Sequence, residues 1–326
     1  MDYVLDANDI ASLQAHLRSL DWLPYEPIVS AQRIGDGNMN MTVRVRSMRS
    51  SFILKQARPW VVKYPHIPAP VERASVEACF YGVTSLMPAI ASRLPRLYGF
   101  DPASNLLWLE DLGEAGDLME LYHSERMSNE CCVQLTEFLV TLHNVEIPES
   151  SRTMFRNRAM RKLNHEHQFD LPLRSGNGID LENITPGLAA LAEGLKADQT
   201  YCERIAGLGN SYLADGTVLV HGDFFPGSWL VTRRGVVVID PEFSYLGAPE
   251  YDLGIFLAHL EFIGVRPLWT LVRENYNRSV DWTLATQFAG AEIMRRLIGV
   301  AQLPIVADIE KKRAWLETSR NLVCAR

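Results

Sequence analysis

The feature that most restricts the fold is a change of period near Gly113. Before it, IVSAQRIG, MTVRVRS and SSFILKQA are short β-type runs separated by Gly-Asp-Gly-Asn and by Met48-Arg49-Ser50, and RLYGF and NLLWLEDL follow as two more. Consecutive runs joined by tight turns predict an antiparallel meander. A helix is expected over Asp9 to Leu20, and another over Val71 to Thr84, where Val71, Ala74, Ala78 and Tyr81 recur at helical spacing. A proline-rich stretch (Pro59, Pro65, Pro68, Pro70) separates the meander from that second helix. After Gly113 helical patterns dominate: roughly Asn129 to Leu142, Thr153 to Glu166, and Pro186 to Leu213, the last with Thr185 as N-cap and Pro186 in the first turn. TVLVHG, SWLVT and GVVVID interrupt as strands, and helices resume from Glu250. The expectation is α+β, with an N-terminal lobe over residues 1–112 and a mainly helical lobe over 113–326.

Composition excludes several classes. Apolar residues make up 47% and charged residues 22%, ordinary values for a globular chain with a sizeable core. The formal net charge is −7, with no basic patch of the kind that draws affinity from phosphate, so no nucleic-acid partner is expected. No apolar run approaches the ~20 residues that cross a bilayer, and the N-terminus has no signal-peptide pattern. Five cysteines, an odd number without a C-x-x-C pair, read as reduced thiols. A cytoplasmic protein without a membrane partner is expected.

The residues that carry chemistry lie in HGDFFPGSWLVTRRGVVVIDPE. Asp223 and Asp240 each follow an apolar run, with a strand-length segment between them. Phosphoryl transfer needs such a pair: one carboxylate to orient a hydroxyl and take its proton, another to hold Mg²⁺ on the nucleotide phosphates. Either could alone be an ordinary turn residue. Gly35, Asp36, Gly37 and Asn38 form a hairpin tip whose amides could approach phosphate, or simply a good turn. Lys55, on the next strand, could reach the α- and β-phosphates, and Glu77 on the following helix could hold it there, with Glu72 as the competing acid.

Taken together these segments resemble the aminoglycoside and choline kinase-like phosphotransferases, and among them the 5-methylthioribose kinase-like members. IGDGNMNMTVRV is similar to the glycine loop, LKQARPWVV to the nucleotide-lysine strand, RASVEACFY to the first lobe helix and WLEDL to the hinge. HGDFFPGS is similar to the catalytic loop, IDPEFSYLGAPEYDLGIFLAHL to the metal-binding segment, and AGAEIMRRLIGVAQ to a late helix with paired arginines. The resemblance implies a protein-kinase-like bilobal fold, ATP and Mg²⁺ as cofactors, and a small hydroxylated substrate. It implies Asp223 as catalytic base, Asp240 and Glu242 as magnesium ligands with Ser228 beside them, and Lys55 with Glu77 as the phosphate-binding ion pair. Backbone groups from Glu110 to Leu112 would meet adenine, and Arg295 and Arg296 the substrate. Ser228 stands where most of the wider family has Asn, Phe225 where a His is usual, and the tryptophan-bearing loop expected near Val62 to Pro70 is poorly matched.

The paired arginines favour a neutral sugar or an anion over the polycations and quaternary ammonium groups that acidic clusters or aromatic cages bind. Against this, adjacent helical residues point about 100° apart, so one of the two could face solvent. His165 and His167 alternate on a helix and do not share a face, unlike zinc-binding i, i+4 pairs. Asp252 and His221 read as supports of the catalytic loop. Three functions stay open: a methylthioribose or pentose kinase, an aminoglycoside or amino-alcohol kinase, and a non-catalytic nucleotide-binding protein; a homodimer is compatible with each.

Overall fold

The computed structural model describes residues 3–23, 26–35 and 39–325. Its contacts form two compact units, each α+β in content. The first is Met1–Ala115 with Ile147–Met160 and Thr232–Ser244, and the second is Gly116–Glu146, Arg161–Val231 and Tyr245–Arg326. Compact packing thus groups the chain differently from a division at residue 112. Two later segments join the first unit because buried polar groups fasten them there. Val238 N donates to Arg93 O at 2.9 Å, and Asn157 Nδ2 donates to the carbonyls of Glu242 (3.2 Å) and Ser244 (3.0 Å).

In the first unit, helix α1 (Ile10–Ser19) starts where Asp9 accepts a hydrogen bond from Ser12 N at 3.0 Å, a standard N-cap. The strands are β1 (Ile28–Arg33), β2 (Asn40–Ser47), β3 (Ser51–Ala57), β4 (Trp60–Val61) and β5 (Tyr64–Pro68); after helix α2 (Arg73–Thr84) come β6 (Leu97–Asp101) and β7 (Leu106–Glu110). Five of them make the expected antiparallel sheet, in the order β1-β2-β3-β7-β6. Alternation along β3 sends Phe52 and Leu54 to the face that packs on Leu13 and Leu17 of α1, with Val43, Val45 and Leu106. Lys55, one residue on, therefore points to the opposite face. Gln56 is fully buried among apolar groups, and its amide is satisfied by Tyr3 O, Ser104 O and Leu5 N, tying the N-terminal segment down.

Two local expectations change. The proline-rich stretch forms the two-stranded ribbon β4–β5, in which Pro68 ends its strand and needs no ladder N–H. Helix α2 begins two residues later than Val71, at Arg73, whose side chain bonds the carbonyl of Pro70 (2.6 Å).

In the second unit the helix expected from Pro186 to Leu213 is two helices, Leu188–Lys196 and Gln199–Leu213. Thr185 is not its cap. Gly187 precedes the first in the left-handed region (φ 86°), and Asp198 caps the second by accepting from Tyr201 N at 3.1 Å. The Thr153 to Glu166 expectation, which runs from the first unit into the second at Arg161, is likewise divided: a short turn over Met154–Arg156 ends at Asn157 with φ 41°, and the helix proper is Arg158–His165, running into a π-helical turn at Glu166–Asp170. Strand Val218–Val220 pairs antiparallel with Tyr245–Gly247.

Three helices, Pro249–Ile263, Trp282–Ile298 and Ile309–Cys324, form the base of this unit. The middle one is gripped on two sides at glycines. A Cβ on Gly254 would lie 2.4 Å from Phe288 Cβ and 2.8 Å from Ala285 O, and one on Gly290 would lie 2.8 Å from Ser319 O. At the second crossing Ser319 Oγ donates to Gly290 O at 2.6 Å and pairs with Tyr201 OH at 2.7 Å. Among the described residues no helix is long and apolar enough to cross a membrane.

Candidate active site

Two clusters carry the expected residues, one in each unit. In the first, Lys55 Nζ lies 2.8 Å from Glu77 Oε2 and 2.7 Å from Asp240 Oδ1. Glu72, the competing acid, is exposed at the start of α2, whereas Glu77 is buried. Burial opposes the charge on Lys55, but Asp240 and Glu77 outweigh it and raise its pKa. The Asp240 side chain remains 46% exposed while its partner Lys55 is buried. Its backbone sits in the left-handed region (φ 63°), uncommon for a residue other than glycine, and this turns the carboxylate onto the lysine amine.

Glu242, two residues on, is held by groups the sequence did not single out. Arg73 is wholly buried and places Nε 3.0 Å from Glu242 Oε2 and 3.0 Å from Asn40 Oδ1. Asn40 Nδ2 in turn donates to Glu242 Oε1 at 2.9 Å. The rest of the guanidinium donates to the carbonyls of Met39 (3.0 Å), Arg58 (2.9 Å) and Pro70 (2.6 Å). One side chain therefore joins the start of β2, the start of α2 and the 240–242 segment. Glu242 Oε2 is buried and accepts no hydrogen bond of good geometry. Burial raises the Glu242 pKa, with Lys55 and Arg73 opposing, and lowers that of Arg73.

Gly35 has φ 67°, the left-handed conformation its position in a tight loop requires. Asp36, Gly37 and Asn38 lie outside the described residues. Glu110 closes β7: its amide donates to Arg96 O at 2.9 Å, and its carboxylate meets Arg234 at 3.2 Å. Leu112 follows in a half-buried loop position.

In the second unit the loop after Val220 is built on Asp252. That carboxylate is fully buried and accepts from His221 N (2.7 Å) and Gly222 N (2.9 Å), with His143 Nε2 at 3.1 Å. Gly222 supplies the left-handed turn (φ 87°). The loop is tightened by Asp223 N donating to His221 Nδ1 (3.3 Å) and Ser228 Oγ donating to Asp223 O (3.0 Å). Asp223 then projects a side chain that is 24% exposed toward both arginines: Arg295 Nη2 is 3.5 Å and Arg296 Nη2 3.3 Å from its Oδ1. Burial raises the Asp223 pKa, with Arg296 and Arg295 pulling the other way. Phe225, where a histidine is usual, lies under the Arg296 guanidinium at 4.7 Å.

The two arginines converge because both are held by Glu292 on the same helix, buried and absent from the sequence expectations. Arg296 Nε donates to Glu292 Oε1 at 2.7 Å, and Arg295 reaches both oxygens through Nε (2.5 Å) and Nη2 (3.0 Å). The i, i+3 and i, i+4 spacing of Glu292 to the arginines in AGAEIMRR was the readable signal. Arg73 and Asn40 carried no comparable signal, since their partners lie far away in sequence.

Among the described residues no group of three or more His, Cys, Asp or Glu side chains could hold a metal ion. Magnesium in phosphoryl-transfer sites commonly takes one or two carboxylates and completes its shell with phosphate and water.

Residues 30–286 match the family described as the phosphotransferase enzyme family. A methylthioribose kinase of Bacillus cereus is 24% identical over 341 aligned positions, covering 90% of this chain and 84% of the relative. Among solved structures, the choline kinase LicA of Streptococcus pneumoniae superposes with a TM-score of 0.54 at 13% identity, covering 96% of this chain and 98% of its own. A spectinomycin phosphotransferase bound to ADP and spectinomycin gives 0.53 at 13% identity, covering 94% and 97%. The α+β, kinase-like bilobal fold is common to all of these structures.

Proposed function

This chain belongs to the phosphotransferase enzyme family, and from that premise we propose that it is an ATP- and Mg²⁺-dependent small-molecule kinase whose acceptor is 5-methylthioribose or a related pentose. The observation that carries the acceptor reading is the pair of guanidiniums beside Asp223. Two buried arginines at the base present N–H donors in place of the acidic clusters or aromatic cages that hold polycations and quaternary ammonium groups, and so suit a neutral polyol, whose hydroxyls accept their hydrogen bonds.

In this reading Asp223 is the base. It orients the acceptor hydroxyl and takes its proton as the hydroxyl oxygen bonds to the γ-phosphorus; the bond from that phosphorus to the β–γ bridging oxygen breaks, and ADP leaves. Burial, which raises the Asp223 pKa, makes the carboxylate a better proton acceptor, and Arg295 and Arg296 keep it ionised until the hydroxyl arrives. Lys55, kept charged and aimed by Glu77, contacts the α- and β-phosphates. Adenine lies against the backbone of Glu110 to Leu112.

Asp240 and Glu242 fit a magnesium ion. One is half exposed, the other pairs with Arg73 through a buried oxygen that accepts no hydrogen bond of good geometry, and both offer the hard oxygens this ion prefers. Ser228, whose hydroxyl donates to Asp223 O, is a candidate ligand by resemblance alone. Bound there, the ion would neutralise charge developing on the phosphates. A cytoplasmic location accords with an ATP-dependent reaction of this kind.

ADP release, measured with Mg-ATP and separately with 5-methylthioribose, ribose, spectinomycin and choline, tests the reading. Turnover should be greatest with the pentoses, and Asp223→Asn should lower kcat by roughly 10²–10⁴-fold with ATP affinity unchanged. Preference for spectinomycin or choline would establish the amino-sugar or amino-alcohol alternative. ATP binding without turnover of any acceptor would establish the non-catalytic one.

A further inference from the structure

The second unit contains a buried polar network that the reaction above does not use. Glu292, on the helix Trp282–Ile298, is 1% exposed and accepts from every side. Besides the two arginines, Gln168 Nε2 donates to its Oε2 at 3.1 Å and His259 Nε2 lies 3.2 Å from its Oε1. His259 is itself fully buried, and its Nδ1 lies 2.6 Å from Tyr122 OH. A carboxylate only accepts, so His259 Nε2 must carry the proton; its Nδ1 then accepts from the tyrosine hydroxyl. Behind Gln168 the chain continues: Tyr251 OH donates to its Oε1 at 2.7 Å, and Asn164 Nδ2 donates to Tyr251 OH at 3.1 Å. Every side chain on this path is hydrogen-bonded to the next.

The matching has a direction. Glu292 takes the Nε hydrogen of each arginine, the donor nearest the helix. Nη2 of Arg295, which also donates to Glu292 Oε1 at 3.0 Å, and Nη2 of Arg296 both reach toward Asp223 Oδ1. Neighbouring helical side chains diverge by about 100°, and a free arginine has many rotamers. A single carboxylate one turn earlier removes both problems at once. A buried ion cluster of this kind is seldom retained for stability, since well-packed apolar replacements commonly do as well.

We propose that Glu292, oriented by His259 and Gln168, is a positioning residue that fixes both guanidiniums at the acceptor and so sets acceptor affinity, a role that rests on the kinase reading. Two positive and two negative groups, Arg295 and Arg296 with Glu292 and Asp223, leave this place near neutral overall, with guanidinium N–H donors beside Asp223. The acceptor chemistry it fits is an uncharged compound with hydroxyl oxygens flanking the one that reacts.

The test is Glu292→Gln in the full chain, with KM and kcat measured for 5-methylthioribose and for ATP in turn. Glutamine keeps the shape but turns an N–H₂ toward an arginine donor. The KM for 5-methylthioribose should rise at least tenfold, while the KM for ATP stays within twofold. An unchanged acceptor KM, or equal rises in both, overturns the proposal. Tyr122→Phe, which removes only the far hydroxyl, covers the case in which Glu292→Gln does not fold: it should raise the acceptor KM alone by severalfold, and no change overturns the proposal. Arginine Nε–H resonances give a readout independent of turnover. Two slowly exchanging signals in the unmodified protein should be lost in Glu292→Gln; their persistence overturns the positioning role, whereas absence of turnover with the unmodified protein tells against the kinase reading instead.

Discussion

Arg73 and Glu242 offer a sharp test of how the first unit holds its acidic segment. Arg73 is fully buried and Glu242 nearly so, with a 3.0 Å contact between them. Burial disfavours both charges, as the upward shift of Glu242 and the downward shift of Arg73 record. Arg73→Met alone strands a carboxylate in the interior, which costs about 3–5 kcal/mol. Glu242→Gln alone strands the guanidinium and should cost a similar amount. In the double variant neither charge remains. The carbonyls of Met39, Arg58 and Pro70 lose their donor in Arg73→Met and in the double variant alike, so that loss cancels from the coupling. The coupling that remains should be about 2–3 kcal/mol, near the upper end for a contacting pair. Urea unfolding of the four proteins, followed by circular dichroism and by fluorescence to confirm coincident transitions, measures it. On the proposed magnesium site, Mg-ADP should shrink the coupling, because a divalent ion at Glu242 would supply compensating positive charge. Additivity within about 0.5 kcal/mol would refute the claim that these two charges depend on each other.

Two further outcomes follow from the second unit. Gly254→Ala should destabilise by about 1–3 kcal/mol, read as a lowered urea midpoint, because the added methyl meets Phe288 Cβ and Ala285 O where neither helix can yield cheaply. His259 titrates near 4 because burial disfavours its charge, with the bond to Glu292 opposing. Its folded value lies below the usual 6.5, so the unfolded chain takes up the proton first, and stability falls as pH drops from about 6.5 to about 4. This group contributes at most about 3 kcal/mol of that fall, and His259→Gln should flatten the stability–pH curve by that amount between those limits.

The sheet was legible because β-branched and apolar alternation coincides with tight turns, and local signals of this kind survive folding intact. Lys55 and Asp223 were legible for another reason: they stand in short segments where residue order already encodes a strand followed by a loop. Arg73 could not be read, since its partners, residues 39, 40, 58, 70 and 242, meet only after the chain has folded. The break between Leu188–Lys196 and Gln199–Leu213 was missed because an aspartate able to cap a helix also sits comfortably within one in sequence; what decides is the bond from Tyr201 N to Asp198. Glu292 lay in plain view, three and four residues ahead of the arginines, yet appears as an ordinary core-adjacent acid until burial shows that it has no solvent to turn to.

The glycines at 254 and 290 have a consequence for how this protein could acquire new acceptors. They let neighbouring helices close onto two flanks of the helix that bears the arginines, leaving no room for a Cβ beside Ala285 O or Ser319 O. A helix seated in this way resists sliding and rolling, since any shift must open both seams together. Altered selectivity is therefore expected to arise through residues that pack against the guanidiniums, such as Phe225 on Arg296, and not through re-aiming the helix that carries them.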